Sequence, residues 1–309
     1  MAQPPGINRL ILNGQRAQQP EVRNAVFACR RGGLQIEVRV TWEQGDAQRQ
    51  AYMAGCEGVK RVIAGGGDGS VNEVVNGLMQ LPRDKRPELA IMPLGSANDL
   101  ARSLGLPPGQ AASLDAACRL PSRWVDVPLM NDRYFINMAT GGFGAAVTSS
   151  TPKRLKRLMG GGAYSVVGAF KAWRYELYQG HVAWEGDECR AGIFLLALGN
   201  GVQAGGGQKL TPAARLDDGL LDVMLVRDFA SLRQLHGMMK ELRARPYHGQ
   251  YVDAFRTRWL RFEADGDHYL PLTLDGEPCF QNAFEVSISP LALRLVMPDS
   301  CRLAAPAGE

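Results

Sequence analysis

No apolar run in these 309 residues approaches the ~20 that a membrane-spanning helix needs, and the longest, Ile193 to Leu198, is strand-sized. Paired cysteines are missing as well. Cys29, Cys56, Cys118, Cys189, Cys279 and Cys301 are scattered without CxxC spacing. That excludes the common zinc motifs and a disulfide frame, and leaves the reduced thiols of a cytosolic protein. Met1 to Gly6 has neither the basic nor the apolar part of a secretory signal, so a cytoplasmic location is expected. The four histidines, His181, His236, His248 and His268, share no motif and receive no role. Low-complexity tails and internal repeats are absent. The formal charge of +4 permits an anionic partner without demanding one, and nothing in it calls for nucleic acid.

What is present first is alternation. Arg9 to Leu12, Gln35 to Val40, Arg61 to Ala64 and Glu88 to Met92 read as strands. Between them Pro20 to Arg31, Asp46 to Ala54 (capped by Asp46) and Val71 to Gln80 read as helices. Strands alternating with helices imply a doubly wound parallel sheet, with ligands bound beyond the carboxyl ends of the strands.

Three segments end at that rim: Thr41-Trp42, the loop Gly65-Gly66-Gly67-Asp68-Gly69-Ser70, and Pro93 to Leu100. The glycine loop, between a strand and a helix, lets bare backbone amides approach an anion. It is not a Walker A loop, because no lysine lies between Arg61 and Gln80. It is not the dinucleotide fingerprint either, since Ser70 stands where a third glycine belongs. Asp68 beside phosphate oxygens would be repulsive unless a cation or a hydroxyl sits between them, which hints at a divalent metal, usually Mg²⁺. Read structurally instead, the loop is a turn whose glycines serve geometry alone. Ser96 is placed as the N-cap of a helix running to Leu104, a second helix N-terminus able to meet phosphate.

From Trp124 the texture changes to short strands: Val125 to Met130, Tyr134 to Thr140, His181 to Glu185, Ala191 to Leu198, Leu220 to Val226, Trp259 to Glu263, Tyr269 to Leu274 and Phe284 to Ser289. Turn signals between them indicate an antiparallel β-sandwich or barrel, with helical insertions near Thr151 to Tyr178 and Leu232 to Arg243. The boundary falls near Met130, giving an α/β half over 1–130 and a β half over 131–290. Leu291 to Met297, in a tail spanning 291–309, could return to the first half. Within the β half, Arg215 to Asp222 is either a hairpin loop or a metal site using one carboxylate with backbone carbonyls. Asp275 and Glu277 both qualify by type to take a proton from an alcohol, and Asp275-Gly276 is equally a turn signature. The basic run Lys153 to Arg157, with Phe170, Trp173, Tyr175 and Tyr178 beyond it, is either a solvated helix or a contact with an anionic membrane surface.

Taken together, Gly65 to Val74 (GGGDGSVNEV) and Pro93 to Pro107 (PLGSANDLARSLGLP) resemble the diacylglycerol-kinase-type lipid kinases. Ile11 to Gly14, Val38 to Glu43, Phe135 to Gly144 (FINMATGGFG), Leu198 to Gln208 (LGNGVQAGGGQ), Asp217 to Leu221 and Leu274 to Pro278 resemble their bacterial YegS-like subgroup, almost end to end. The resemblance implies an ATP-binding α/β domain, a β-sandwich, and an active site between them. It implies a kinase acting with ATP and Mg²⁺, or Ca²⁺ in its place, on the hydroxyl of a glycerol-headed lipid at a membrane surface. By position, Thr41, Gly66, Gly67, Asp68, Gly69, Ser70, Val71, Asn72, Glu73 and Ser96 would bind ATP. Arg215 and Leu220, through backbone carbonyls, and Asp218 would bind the metal, and Glu277 would accept the proton, with Asp68 also in the catalytic set. Ser70 and Ser96 stand where many relatives have threonine, and Arg215 where leucine is usual. The alternatives are a soluble NAD- or sugar-type kinase using the same loop, and a catalytically silent lipid or nucleotide sensor.

Overall fold

The apolar runs of the first half form buried parallel strands because helices cover both of their faces. The computed structural model describes residues 6–142, 178–228, 232–266 and 269–305. In order, β1 (Asn8–Asn13), α1 (Pro20–Arg31), β2 (Ile36–Thr41), α2 (Asp46–Cys56), β3 (Arg61–Gly66), α3 (Asp68–Met79) and β4 (Glu88–Pro93) are followed by α4 (Asp99–Ser103) and α5 (Gln110–Arg119). The strands run β4-β3-β1-β2, all parallel. One face packs on α2 and α3 through Ala47, Ala51, Val71, Val75 and Leu78. The other packs on α1 and α5 through Val22, Val26, Leu114 and Ala117. Helix α5 escapes the sequence reading because its buried face is mostly small residues. Nor does Asp46 cap α2. Gly45, with φ +87°, takes that position, and the Asp46 carboxylate turns back to the amides of Trp42 and Glu43.

The second half contains β5 (Ser122–Met130), β6 (Arg133–Tyr134), β7 (Met138–Gly142), β8 (Tyr178–Trp184), β9 (Asp187–Gly199) and β10 (Leu221–Arg227). Then come α6 (Leu232–Ala244), β11 (Val252–Thr257), β12 (Trp259–Ala264), β13 (Leu270–Leu274), β14 (Glu277–Gln281) and β15 (Ala283–Val296). Antiparallel pairing runs β14-β13-β7-β9-β8-β12-β15, with β10 joining β9 to β11. The sandwich core is aromatic and aliphatic, with Phe135, Phe262, Phe284, Leu198 and Leu272 buried. The α/β half and β-sandwich expected from the sequence are thus both present.

Three details differ from expectation. The single strand expected over Tyr134 to Thr140 is broken into β6 and β7, because Ile136, Asn137 and Met138 turn their amides onto Asp275. Strands β11 and β14 were not anticipated. Phe284 to Ser289 and Leu291 to Met297, read as separate, belong to one strand, β15. Its register shifts between Ser289 and Leu293, where Leu291 takes φ +44°. Beyond that irregularity Leu295 pairs in parallel with Leu89 of β4, so β15 carries the sandwich into the parallel sheet.

All six cysteines are free. Among the described residues no helix is long and apolar enough to cross a membrane. The basic run from Lys153 and its aromatics lie outside the described residues, apart from Tyr178, as do His268 and the end of Phe135 to Gly144.

Candidate active site

The glycine loop is a single extended residue. Gly67 (φ −92°, ψ −171°) caps α3, which starts at Asp68 and not at Val71 as expected. The first intrahelical bond runs from the Val71 amide to the Gly67 carbonyl at 3.1 Å, and no side chain caps the helix. The amides of Asp68, Gly69 and Ser70 therefore point out of the positive end of the helix without helical partners, which suits an anion. The glycines are needed for closeness. A Cβ on Gly65 would meet Leu10 at 2.8 Å, and one on Gly95 would lie 2.6 Å from the Gly67 Cα, so two backbone loops touch directly.

Ser96 does not cap the second rim helix. That position belongs to Asn98, in the left-handed conformation (φ 49°, ψ 47°), and α4 begins at Asp99. The Asn98 amide group closes its own loop, accepting from the Gly95 N–H at 2.9 Å and donating to the Gly95 carbonyl at 2.8 Å. Asparagine wins because it tolerates αL and bonds back locally. Ser96 is left exposed at the loop tip.

Between these loops sit two carboxylates. Asp68 accepts from the Asp99 amide at 2.9 Å. Asp99 is buried, with one oxygen accepting from the Gly206 amide at 2.9 Å and the other without a partner. The glycine-rich rim after β9 is thereby held against the start of α4. Burial, with the Asp99 and Asp275 charges nearby, pushes the Asp68 carboxyl up to about 6, against the pull of the Asn98 and Asp99 amides. The folded state thus keeps a proton that the unfolded chain has released between about pH 4 and pH 6. Stability from this group is complete below that window and is lost as pH rises through it. Asp68→Asn, a mimic of the neutral form, is expected to gain melting temperature over wild type across this window and to level off above it. Thermal melts of both proteins in a buffer series check this, and a flat difference would refute it.

Along the rim, β2 ends in Thr41 and its neighbour Trp42. Thr41 Oγ1 accepts from the Gly14 amide at 3.4 Å. Asp46 receives the Trp42 and Glu43 amides at 2.7 and 3.1 Å, and Glu73 receives those of Gly45 and Ala47 at 3.1 and 3.2 Å. A cleft of about 600 Å³ opens here, lined by Asn13, Gln15, Thr41, Trp42, Ser70 and Glu73. Two members of the expected ATP set face elsewhere: Val71 is core, and Asn72, only 2% exposed, donates to Asp275 at 2.9 Å and to the Tyr134 carbonyl at 3.0 Å. Asn76, one turn on, grips Tyr134 through both its amide and its carbonyl. Helix α3 is thus also the joint between the two halves. Two asparagines four apart on the face of a helix whose neighbours Val71, Val75 and Leu78 are buried were the available signal for that joint.

The late acidic turn separates its two candidates. Asp275 (φ +51°) and Gly276 (φ +91°) form a two-residue turn with Leu274 opposite Glu277. Asp275 is buried and accepts four hydrogen bonds, from Asn137 and Met138 on one oxygen and from Asn72 and Ile136 on the other. Burial raises its carboxyl above the usual range. Its four hydrogen-bond partners are all N–H donors, and they pull against that rise. Glu277 is half-buried, hydrogen-bonds or ion-pairs with none of the described residues, and lies directly over the Cα of Gly69.

The loop ahead of β10 carries the remaining acids. Asp126 holds it, accepting from the Gly219 amide at 2.7 Å and from Leu291 at 2.7 Å. Asp217 pairs with Arg215 and with the Ala305 amide. One Asp218 oxygen accepts from Leu220 at 3.2 Å, and the other is buried without a hydrogen bond, 3.8 Å from Arg256. Asp222 likewise has one unpartnered buried oxygen, and burial pushes it up to about 6. Among the described residues no three acidic, histidine or cysteine side chains converge as a metal cluster. An orphaned buried carboxylate oxygen does suit a cation held by one carboxylate, carbonyls and water, as Mg²⁺ often is.

The family model for the diacylglycerol kinase catalytic domain matches residues 9–129, and that for the YegS C-terminal NAD kinase beta sandwich-like domain matches residues 138–297. A protein from Chromohalobacter salexigens named "Probable lipid kinase YegS-like" is 53% identical over 95% of this chain and 94% of its own. One of the same name from Shewanella frigidimarina is 41% identical over 95% and 94%. A crystal structure of a diacylglycerol kinase from Bacillus anthracis superposes with TM-score 0.72 at 20% identity, covering 96% of this chain and 98% of that one. At that identity the likeness concerns the fold.

Proposed function

Since the chain belongs to the YegS-like lipid kinases of the diacylglycerol kinase family, we propose that it transfers the γ-phosphate of ATP to a hydroxyl of a glycerol-headed lipid. That membership speaks against the soluble-acceptor and sensor alternatives. The observation that carries the finer reading is Glu277. It is an unpartnered carboxylate lying over Gly69, at the mouth of the free amides of α3.

In this reading the amides of Asp68, Gly69 and Ser70 hold phosphate oxygens, with Gly66 and Gly67 giving the backbone room to approach. Thr41 and Ser96 offer hydroxyls at the two flanks of the loop. Val71, Asn72 and Glu73 act by position: Val71 seats α3 in the core, Asn72 ties it to the sandwich, and Glu73 fixes the Trp42 loop. The lipid hydroxyl oxygen forms a bond to the γ-phosphorus as the bond from that phosphorus to the bridging oxygen of ADP breaks. Glu277 orients the hydroxyl and takes its proton late, as suits a loose transition state. Asp68 places a carboxylate beside the phosphates, where a cation between them would relieve the repulsion. Asp218, with the backbone carbonyls of Arg215 and Leu220, would hold Mg²⁺, which when bound neutralises phosphate charge. Residues 1–130 with 291–309 would form the nucleotide half, and 131–290 would supply the metal loop and Glu277. A cytoplasmic enzyme meeting its lipid at the membrane face accords with this chemistry.

Incubation of the purified protein with γ-labelled ATP, Mg²⁺ and total bacterial lipids in mixed micelles tests the reading. A labelled lipid in the organic phase is expected, and its mobility identifies the acceptor. Label confined to water-soluble products would overturn it.

A further inference from the structure

Trp42 is 94% exposed, the most extreme value among the large hydrophobic side chains of the described residues. An indole with nearly all its apolar surface in water contributes nothing to a core. Yet the loop that carries it is held by two carboxylates. The Asp46 carboxylate takes the amides of Trp42 and Glu43, and Glu73 takes those of Gly45 and Ala47. Asp46 is itself fixed by Arg49. A segment clamped at four amides while presenting a bare aromatic ring is built for contact.

The place of the ring shows what it contacts. It lines the cleft of about 600 Å³ that Ser70, at the start of α3, also lines. Strand order puts β1 between β3 and β2. At the usual strand spacing, Trp42 therefore stands roughly 10 Å along the rim from the glycine loop. The cleft shared by Ser70 and Trp42 leaves room in that direction for the nucleoside of a triphosphate whose phosphates sit at α3. Asn13, Gln15 and Gln44 line the cleft as well and supply hydrogen-bonding groups for base and ribose edges.

We infer that Trp42 is a stacking platform for the purine base of the nucleotide, and that it is the residue through which this chain recognises the base as distinct from the phosphates. The inference rests on the kinase reading for the location of the phosphates. Aromatic stacking on a base has an effect large enough to measure by truncation.

The test is calorimetric titration of the purified full chain with ADP and, separately, with inorganic tripolyphosphate, in wild type, Trp42→Ala and Trp42→Phe. Trp42→Ala is expected to weaken ADP by about tenfold or more while leaving tripolyphosphate unchanged, and Trp42→Phe is expected to restore most of the ADP affinity. In lipid phosphorylation the same variant should raise KM for ATP with little change in kcat. Unchanged ADP affinity in Trp42→Ala, or equal loss for both probes, would overturn the inference, as would wild type binding neither probe. Should the ADP-selective loss appear without any lipid phosphorylation, the base platform stands and the acceptor reading falls.

Discussion

Replacing Glu277 by alanine or glutamine is expected to lower lipid phosphorylation by about 10²- to 10⁴-fold, the range for loss of a positioned general base. Nucleotide affinity should stay close to wild type. Three observations set that expectation. The carboxylate lies over Gly69, where a nucleophile must approach a phosphate held by the α3 amides. It pairs with none of the described residues, so its lone pairs are available. It also stands two residues from Asp275, whose four hydrogen bonds pin the turn that aims it. Loss should fall on kcat, because the group acts on the hydroxyl in the transition state and has little to do with ATP in the ground state. Initial rates over a range of ATP and lipid, with ADP titration alongside, separate these effects. Activity within about threefold of wild type, far inside the range for a lost base, would remove Glu277 from the chemistry. Equal loss of ADP binding would make it a structural prop.

The parts of this molecule that could be read beforehand are those governed by local rules. Strand runs such as Val62 to Ala64 are apolar because both faces are covered, and Asp275-Gly276 is a turn because its two left-handed residues need those side chains. The glycine loop was legible because close backbone approach leaves glycine little competition. What could not be read depended on partners far along the chain. Asn72 was placed with the nucleotide-binding loop by resemblance alone, and its side chain donates to Asp275, 203 residues away. Ser96 and Asn98 competed for one cap, and the decision turned on a left-handed backbone that neither residue type reveals alone. The union of two expected strands into β15 needed β4 and β5 as neighbours on either side. Trp42 was visible as a rim residue, but its exposure was not, because exposure is set by what the fold leaves uncovered.

That long-range partner makes Asp275 the position where stability should be most sensitive. Its two oxygens receive Asn72 from α3, the amides of Ile136 and Asn137 between β6 and β7, and that of Met138 at the start of β7, all within 3.1 Å. Alanine would leave four buried donors without an acceptor. Asparagine, nearly the same shape, would keep one acceptor oxygen and turn an N–H₂ group toward N–H donors. Unmade buried hydrogen bonds cost about 1–3 kcal/mol each before relaxation, and they do not add fully. Asp275→Asn is therefore expected to lose about 2–4 kcal/mol, with Asp275→Ala at least as damaged. Urea unfolding read by circular dichroism measures the change, and an unchanged m-value would show that the denatured state is not its source. Asn72→Ala leaves the other three Asp275 bonds intact but also gives up the bonds to the Tyr134 carbonyl and from Asn76, so it should cost about 1–2 kcal/mol, below either Asp275 variant. A loss under about 0.5 kcal/mol in Asp275→Asn, the size of an ordinary surface substitution, would mean that the two halves are held elsewhere. Because the same turn aims Glu277, the folded fraction of Asp275→Asn should also turn over more slowly than wild type. Asn72→Ala should fall between them, since it loosens α3 without disturbing the turn itself.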